Sequence, residues 1–135
     1  MKFIILTLLI TVSLIAADAT RAAKDLGIYN DYNQALKDAK SNNKLMVFVV
    51  VWDPCKACDS LVSGTLTDKR VQEKFKDSVV LILDYKANMP KKFRVQMAPH
   101  IYYVNPMNEE VLLESVGRIS AEDFLNEYQD AKDFL

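Results

Sequence analysis

The sequence predicts a single α/β domain, a buried β-sheet flanked by helices, behind a short N-terminal export signal. Two apolar runs and the character of the first residues carry that expectation. Leu45–Val51 is seven consecutive apolar residues, four of them valine. A continuous β-branched run of that length reads as a strand covered on both faces, as at the middle of a sheet with helices on each side. Val79–Leu83 is a second all-apolar run, and stretches of helical spacing separate the two and close the chain.

Met1-Lys2 gives a positive start. Residues 3–17 are then apolar except for Thr7, Thr11 and Ser13, with small residues at Ala16, Ala17 and Ala19. This is the make-up of a secretory signal peptide. Ala17-Asp18-Ala19 has the A-x-A form, which places the signal at 1–19; cleavage after Ala17 is the alternative. The apolar run falls short of the ~20 residues a membrane-spanning helix needs. An uncleaved anchor is the competing reading, and a membrane is expected as a partner only in that case.

Residues 20–30 are expected to form a connector into a domain at 31–135. Asp31-Tyr32-Asn33-Gln34 has the form of a capping box. Tyr32, Ala35, Leu36 and Ala39 then recur at helical spacing until Ser41-Asn42-Asn43 ends the helix. The strand at 45–51 leads directly into Trp52-Asp53-Pro54-Cys55-Lys56-Ala57-Cys58. Proline is favoured in a first helical turn, so a helix is expected from Pro54 or Cys55. Cys58, Leu61 and Val62 would face inward from it, with a break or kink at Gly64. Thr67 or Asp68 caps a further helical stretch carrying Val71 and Phe75 on one face. After the strand at 79–83, residues 84–89 read as a polar turn and Pro90–Arg94 as a short helical turn. His100–Val104 and Val111–Val116 read as strands joined by the turn Asn105-Pro106-Met107-Asn108, with Gly117 ending the second. Ser120-Ala121-Glu122-Asp123 caps a last helix whose apolar face is Phe124, Leu125, Tyr128, Ala131 and Leu135.

Half of the 135 residues are hydrophobic and 26% are charged, a composition of one folded domain rather than of a disordered chain. Seventeen basic and 18 acidic residues leave a net charge of -1 and no basic surplus for nucleic acid. Lys91, Lys92 and Arg94 read as a solvated turn. The only two cysteines are Cys55 and Cys58. A bridge across so short a loop restricts the unfolded chain little, so the pair suits chemistry better than stapling. At a helix start, unpaired N–H groups and the positive dipole end favour a thiolate at Cys55. Lys56 adds a cation beside it and Asp53 an anion. Cys55 is then the attacking thiol, and Cys58, one turn on and facing inward, resolves the mixed disulfide.

Residues 31–135 resemble the thioredoxin superfamily. The C-x-x-C opens a helix just after a valine-rich strand, Asp84 closes the next strand, and Phe93-Arg94-Val95 leads through Met97-Ala98-Pro99 into another. The spacing from Cys58 to Asp84 is similar to that of small exported thioredoxin-like proteins. The resemblance implies the thioredoxin fold, a central mixed β-sheet flanked by helices. It implies thiol:disulfide exchange with cysteine-containing exported proteins and a redox partner protein, in the periplasm or outside the cell, with no cofactor and no metal. It also implies a cis bond before Pro99, with the backbone at Ala98 open to an extended substrate and Trp52 and Pro54 on the rim. The sequence departs from thioredoxins in three places. Pro54 stands where they have tryptophan before the first cysteine, and Lys56-Ala57 replaces Gly-Pro. Val49 and Val80 occupy the positions of a buried acid and its lysine partner, so neither charge is stranded alone.

The same residues admit other readings. Two thiolates with His100, the only histidine, would suit the soft ion Cu(I). An inert disulfide in a peptide-binding domain is a third. An ordinary trans Pro99, a packed Trp52 and a packed His100 are the plainer readings of those residues, and Tyr102 and Tyr103 read as packing residues.

Overall fold

The computed structural model describes residues 18–135, so the expected signal segment lies outside the described residues except for its last two positions. The elements in order are α1 (Ala19–Leu26), α2 (Tyr32–Asn42), β1 (Leu45–Val51), α3 (Lys56–Ser60), a π-helical turn (Leu61–Thr65), α4 (Lys69–Phe75), β2 (Ser78–Asp84), a 3₁₀ turn (Lys91–Phe93), β3 (His100–Asn105), β4 (Glu110–Val116) and α5 (Ala121–Phe134). The sheet order is β2-β1-β3-β4, with β1 and β2 parallel and the other pairs antiparallel. It is the mixed, helix-flanked sheet expected from the sequence.

All seven residues of β1 are buried, because the strand has a neighbour on each edge and a layer on each face. Leu45, Val47, Val49 and Val51 join one core with α1, the Cys58 helix and α5; Met46, Phe48 and Val50 join the other with α2 and Phe93. Strand alternation requires apolar side chains at every position of such a strand. Val49 and Val80 are 0% and 3% exposed in the first of these cores, so both positions that the resemblance assigns to a buried ion pair are filled by aliphatic packing.

The segment expected as a connector contains α1. Asp18 caps it, accepting from the N–H groups of Thr20 and Arg21, and Gly27 ends it in the left-handed region at φ 65°. Ala19, Ala22 and Ala23 are buried against the core. Tyr29 then lies alongside β2 as an isolated bridge to Leu81, covering an edge that would otherwise be open. At the other end of the chain, Phe124, Tyr128 and Ala131 are buried as expected, whereas Leu135 is 40% exposed just past the end of α5. Among the described residues no helix is long and apolar enough to cross a membrane.

Candidate redox site

Four residues, 52–55, connect β1 to α3, and they place both cysteines at the C-terminal edge of the central strand. The helix begins one or two residues later than the sequence suggests. Pro54 stays outside it, and Cys55 is the N-cap, in extended backbone at φ -157° and ψ 105°. Cysteine is not a common capping residue, which is why the boundary reads differently from sequence. Its role here is direct: the Cys58 N–H donates to Cys55 Sγ at 3.0 Å, while the Asp59 N–H donates to the Cys55 carbonyl at 3.0 Å. An N–H aimed at sulfur favours the thiolate over the thiol in the reduced state.

The two sulfurs are joined in a disulfide, with their Cα atoms 5.2 Å apart. Their environments differ. Cys55 is half-buried at the surface, whereas Cys58 is 0% exposed and belongs to the aliphatic core. Past Cys58 the helix loosens into the π turn at Leu61–Thr65 instead of breaking at Gly64. Thr65 Oγ1 donates to the Ile119 carbonyl at 2.5 Å and ties that turn to the segment before α5. Asp68, of the two caps expected, accepts the Arg70 N–H and starts α4.

Ala98–Pro99 is a cis peptide, and the Ala98 carbonyl oxygen lies 3.8 Å from Cys55 Sγ. The Pro99 carbonyl accepts from the Gly117 N–H at 2.8 Å, which anchors the loop to the end of β4. Gly117 sits at φ 87°, a conformation that favours glycine. Cys55, Cys58, Ala98 and Pro99 are thus brought together. Asp53–Pro54 is also cis. Trp52, Asp53 and Pro54 line a groove of about 310 Å³ with Tyr85, and the Trp52 and Tyr85 rings meet edge to face at 5.5 Å. Tyr85 was not singled out from the sequence, where it reads as part of a polar turn. Its N–H donates to the Val51 carbonyl at 2.9 Å, and this link across the end of β1 places it beside Trp52. Met97, next in the chain to Ala98, is 62% exposed and adds apolar surface to this loop.

His100 does not join the cysteines. Its Nε2 lies 3.0 Å from Glu114 Oε2, and its ring stacks on Tyr102 at 4.2 Å. Among the described residues no group of three metal-ligating side chains is assembled. The Cu(I) set of Cys55, Cys58 and His100 therefore has no counterpart here.

The profile of the thioredoxin-like domain family matches residues 32–132. The chain belongs to this family. Solved thioredoxin-like structures agree on the fold. A thioredoxin from Thermus thermophilus superposes with a TM-score of 0.69 at 18% identity, covering 78% of this chain and 86% of that one. The oxidised C-terminal domain of Neisseria meningitidis DsbD gives 0.63 at 18%, covering 77% and 98%. The DsbH oxidoreductase gives 0.63 at 13%, covering 80% and 86%. No curated protein sequence matches the chain. Within the thioredoxin-like family, this chain is one whose C-x-x-C pair is at bonding distance beside a cis-proline loop.

Proposed function

We propose that the protein is a thiol:disulfide oxidoreductase acting on cysteine-containing exported proteins, with Cys55 as the attacking sulfur and Cys58 as the resolving one. The asymmetry of the pair carries this reading. Cys55 is reachable and has an N–H aimed at its sulfur, while Cys58 is closed in the core one helical turn away. In the reduced protein the Cys55 thiolate attacks one sulfur of a substrate disulfide and displaces the other. Cys58 then attacks Cys55 Sγ and releases the substrate's second thiolate, so two electrons pass from the pair to the substrate. The Ala98 backbone offers an extended segment strand-like contacts, and Trp52, Pro54, Tyr85 and Met97 provide the apolar rim.

The same reading places the protein in the periplasm or outside the cell, with the leader removed and a second redox protein to reset the pair. A boundary after Ala17 is supported over one after Ala19. Asp18 caps α1, and Ala19 is 3% exposed within the core, so both belong to the folded domain.

Insulin reduction and equilibration of the pair against glutathione test the activity and fix its preferred direction. Cys55→Ser is expected to reduce turnover to background, and Cys58→Ser to accumulate mixed disulfides through Cys55. A reduced protein in which Cys55 resists alkylation would overturn the assignment.

A further inference from the structure

The groove beside the sulfurs carries a charge that the exchange chemistry does not use. It is lined by Trp52, Asp53, Pro54 and Tyr85, and Pro54 is bonded directly to Cys55. Two of these residues are aromatic, with their rings edge to face. Asp53 is the only charged one. It is exposed and makes no ion pair among the described residues. Asp53 also lines a second hollow, of about 230 Å³, where Asp18 and Asp84 add two more acidic residues. No lysine or arginine lines either space. Lys86 stands outside the groove with its Nζ 5.4 Å from the Tyr85 ring centroid, so this ring already takes a cation. Aromatic rings and an unpaired carboxylate together suit one class of side chain. A ring face attracts a cation, and a carboxylate accepts two N–H groups of a guanidinium at once. An apolar side chain would use the rings and gain nothing from Asp53. An acidic one would meet its own sign of charge.

We propose that this groove selects substrates with a basic side chain beside the reactive cysteine, arginine above lysine, a role that rests on the oxidoreductase reading above. Trp52 and Tyr85 supply the stacking surface, and Asp53 sets the sign of the charge. Arginine ranks first because its planar head can stack and fork at the same time, whereas an ammonium is a point charge. Asp53 stands two residues before Cys55 in the four-residue link from β1, so a side chain seated against it lies close to the attacking sulfur. The groove decides which disulfide is attacked and leaves the exchange steps as they are.

Capped tripeptides X-Cys-X, joined through sulfur to thionitrobenzoate, test this with the reduced protein in stopped flow. The Cys55 thiolate bonds to the peptide sulfur, the disulfide to thionitrobenzoate breaks, and that coloured thiolate departs as the better leaving group. Rate constants are taken for X = Arg, Lys, Gln and Glu, each divided by the rate of the same peptide with 2-mercaptoethanol to remove its own reactivity. The arginine peptide is expected to react at least about fivefold faster than the glutamine one, the size an exposed ion pair and a cation–π contact allow together. The glutamate peptide should be slowest. Asp53→Asn should abolish most of that ratio and Asp53→Lys should invert it. Either change alters the Cys55 thiolate alike for all four peptides, so the ratio reads the groove. Trp52→Leu should bring arginine down to lysine, which a charge effect alone would not predict. An arginine-to-glutamine ratio near one in the unaltered protein overturns the proposal, and so does a ratio that Asp53→Asn leaves unchanged. If no peptide releases thionitrobenzoate, the oxidoreductase reading itself falls, and the role of the groove with it.

Discussion

On one face of the sheet, Tyr32, Phe48, Phe93 and Tyr102 pack ring against ring, with centroids 5.7, 5.3 and 5.1 Å apart along that series. On the other, three alanines from α1, Val47, Val49 and Val51 of β1 and Cys58 make a mostly aliphatic core, with the rings of Tyr103, Phe124 and Tyr128 where α5 packs. The aromatic face is closed by α2, a continuous helix whose Tyr32 Oη donates to Glu109 Oε1 at 2.5 Å. The aliphatic face is covered by the short or interrupted helices α1, the α3–π run and α4, together with the continuous α5. It also holds buried Thr65 and Ser115 and the Tyr103–Glu127 contact. The sulfur pair sits on the side whose cover is divided and partly polar, and the ring cluster forms the wall behind it. Large planar groups give a rigid, well-packed layer. Where short helices make up part of the cover, there is room for a helix start, a π turn and a solvent-reaching sulfur.

If this division of labour holds, damage to the aromatic wall should cost stability without altering the chemistry. Phe48 is fully buried at the centre of the ring cluster, on the opposite face of β1 from Val49. Phe48→Ala is expected to destabilise the fold by about 3–5 kcal/mol, as large aromatic truncations in packed cores do. Denaturant unfolding measures that loss. The reduction potential of the Cys55–Cys58 couple, measured under conditions where the variant is folded, should stay where it was. A shift in potential as large as that of a cysteine-proximal change would break the comparison.

The two faces also differ in how far the sequence announces them. β1 is legible because a strand covered on both faces must be apolar at every position, so Leu45–Val51 reads as a buried central strand with matching bounds. Asp31 and the Tyr32, Ala35 and Ala39 stripe are equally plain, since Asp31 accepts the Gln34 N–H and all three stripe residues are buried. The aliphatic face is harder. In α1 the buried positions are alanines set among Arg21, Lys24 and Asp25, and alanine is too small to mark a face by hydropathy. The C-x-x-C and Pro99 are visible as a motif, because spacing alone carries them. Tyr85 is not, since its pairing with Trp52 arises only when the chain is folded.

Asp18 tests whether α1 belongs to the domain or only leads into it. Its carboxylate accepts from Thr20 N–H at 2.9 Å and Arg21 N–H at 3.4 Å. Asp18→Ala is expected to cost about 1 kcal/mol, the usual effect of losing a helix N-cap. With the leader removed as proposed, intact mass should place the first residue at Asp18. A mature chain beginning at Thr20 would lack both the cap and buried Ala19, and would move α1 out of the aliphatic face's essential cover.

The smallest effect is expected at Glu127, where the aliphatic face carries a titrating group. Burial pushes its carboxyl above the ordinary value of 4.5, and this outweighs the opposing hydrogen bonds from Ser115 and Tyr103. The folded protein therefore keeps this proton to higher pH than the unfolded chain does. The contribution is present in full below 4.5 and is lost as pH rises through the folded value. Glu127→Gln still accepts a hydrogen bond from Tyr103 but does not titrate. The stability of the variant relative to the parent should therefore grow as pH rises, by less than about 0.5 kcal/mol for so accessible a group. Paired melting curves at acidic and neutral pH read that difference. The rate of thiol exchange should not follow it, because Tyr103 pairs with Val47 in the first half of β1, whereas the sulfurs lie beyond the C-terminal end of that strand. An exchange rate that tracked Glu127 would mean that the polar contact and the sulfur pair act as one unit, and that the division lies within this face rather than between the two.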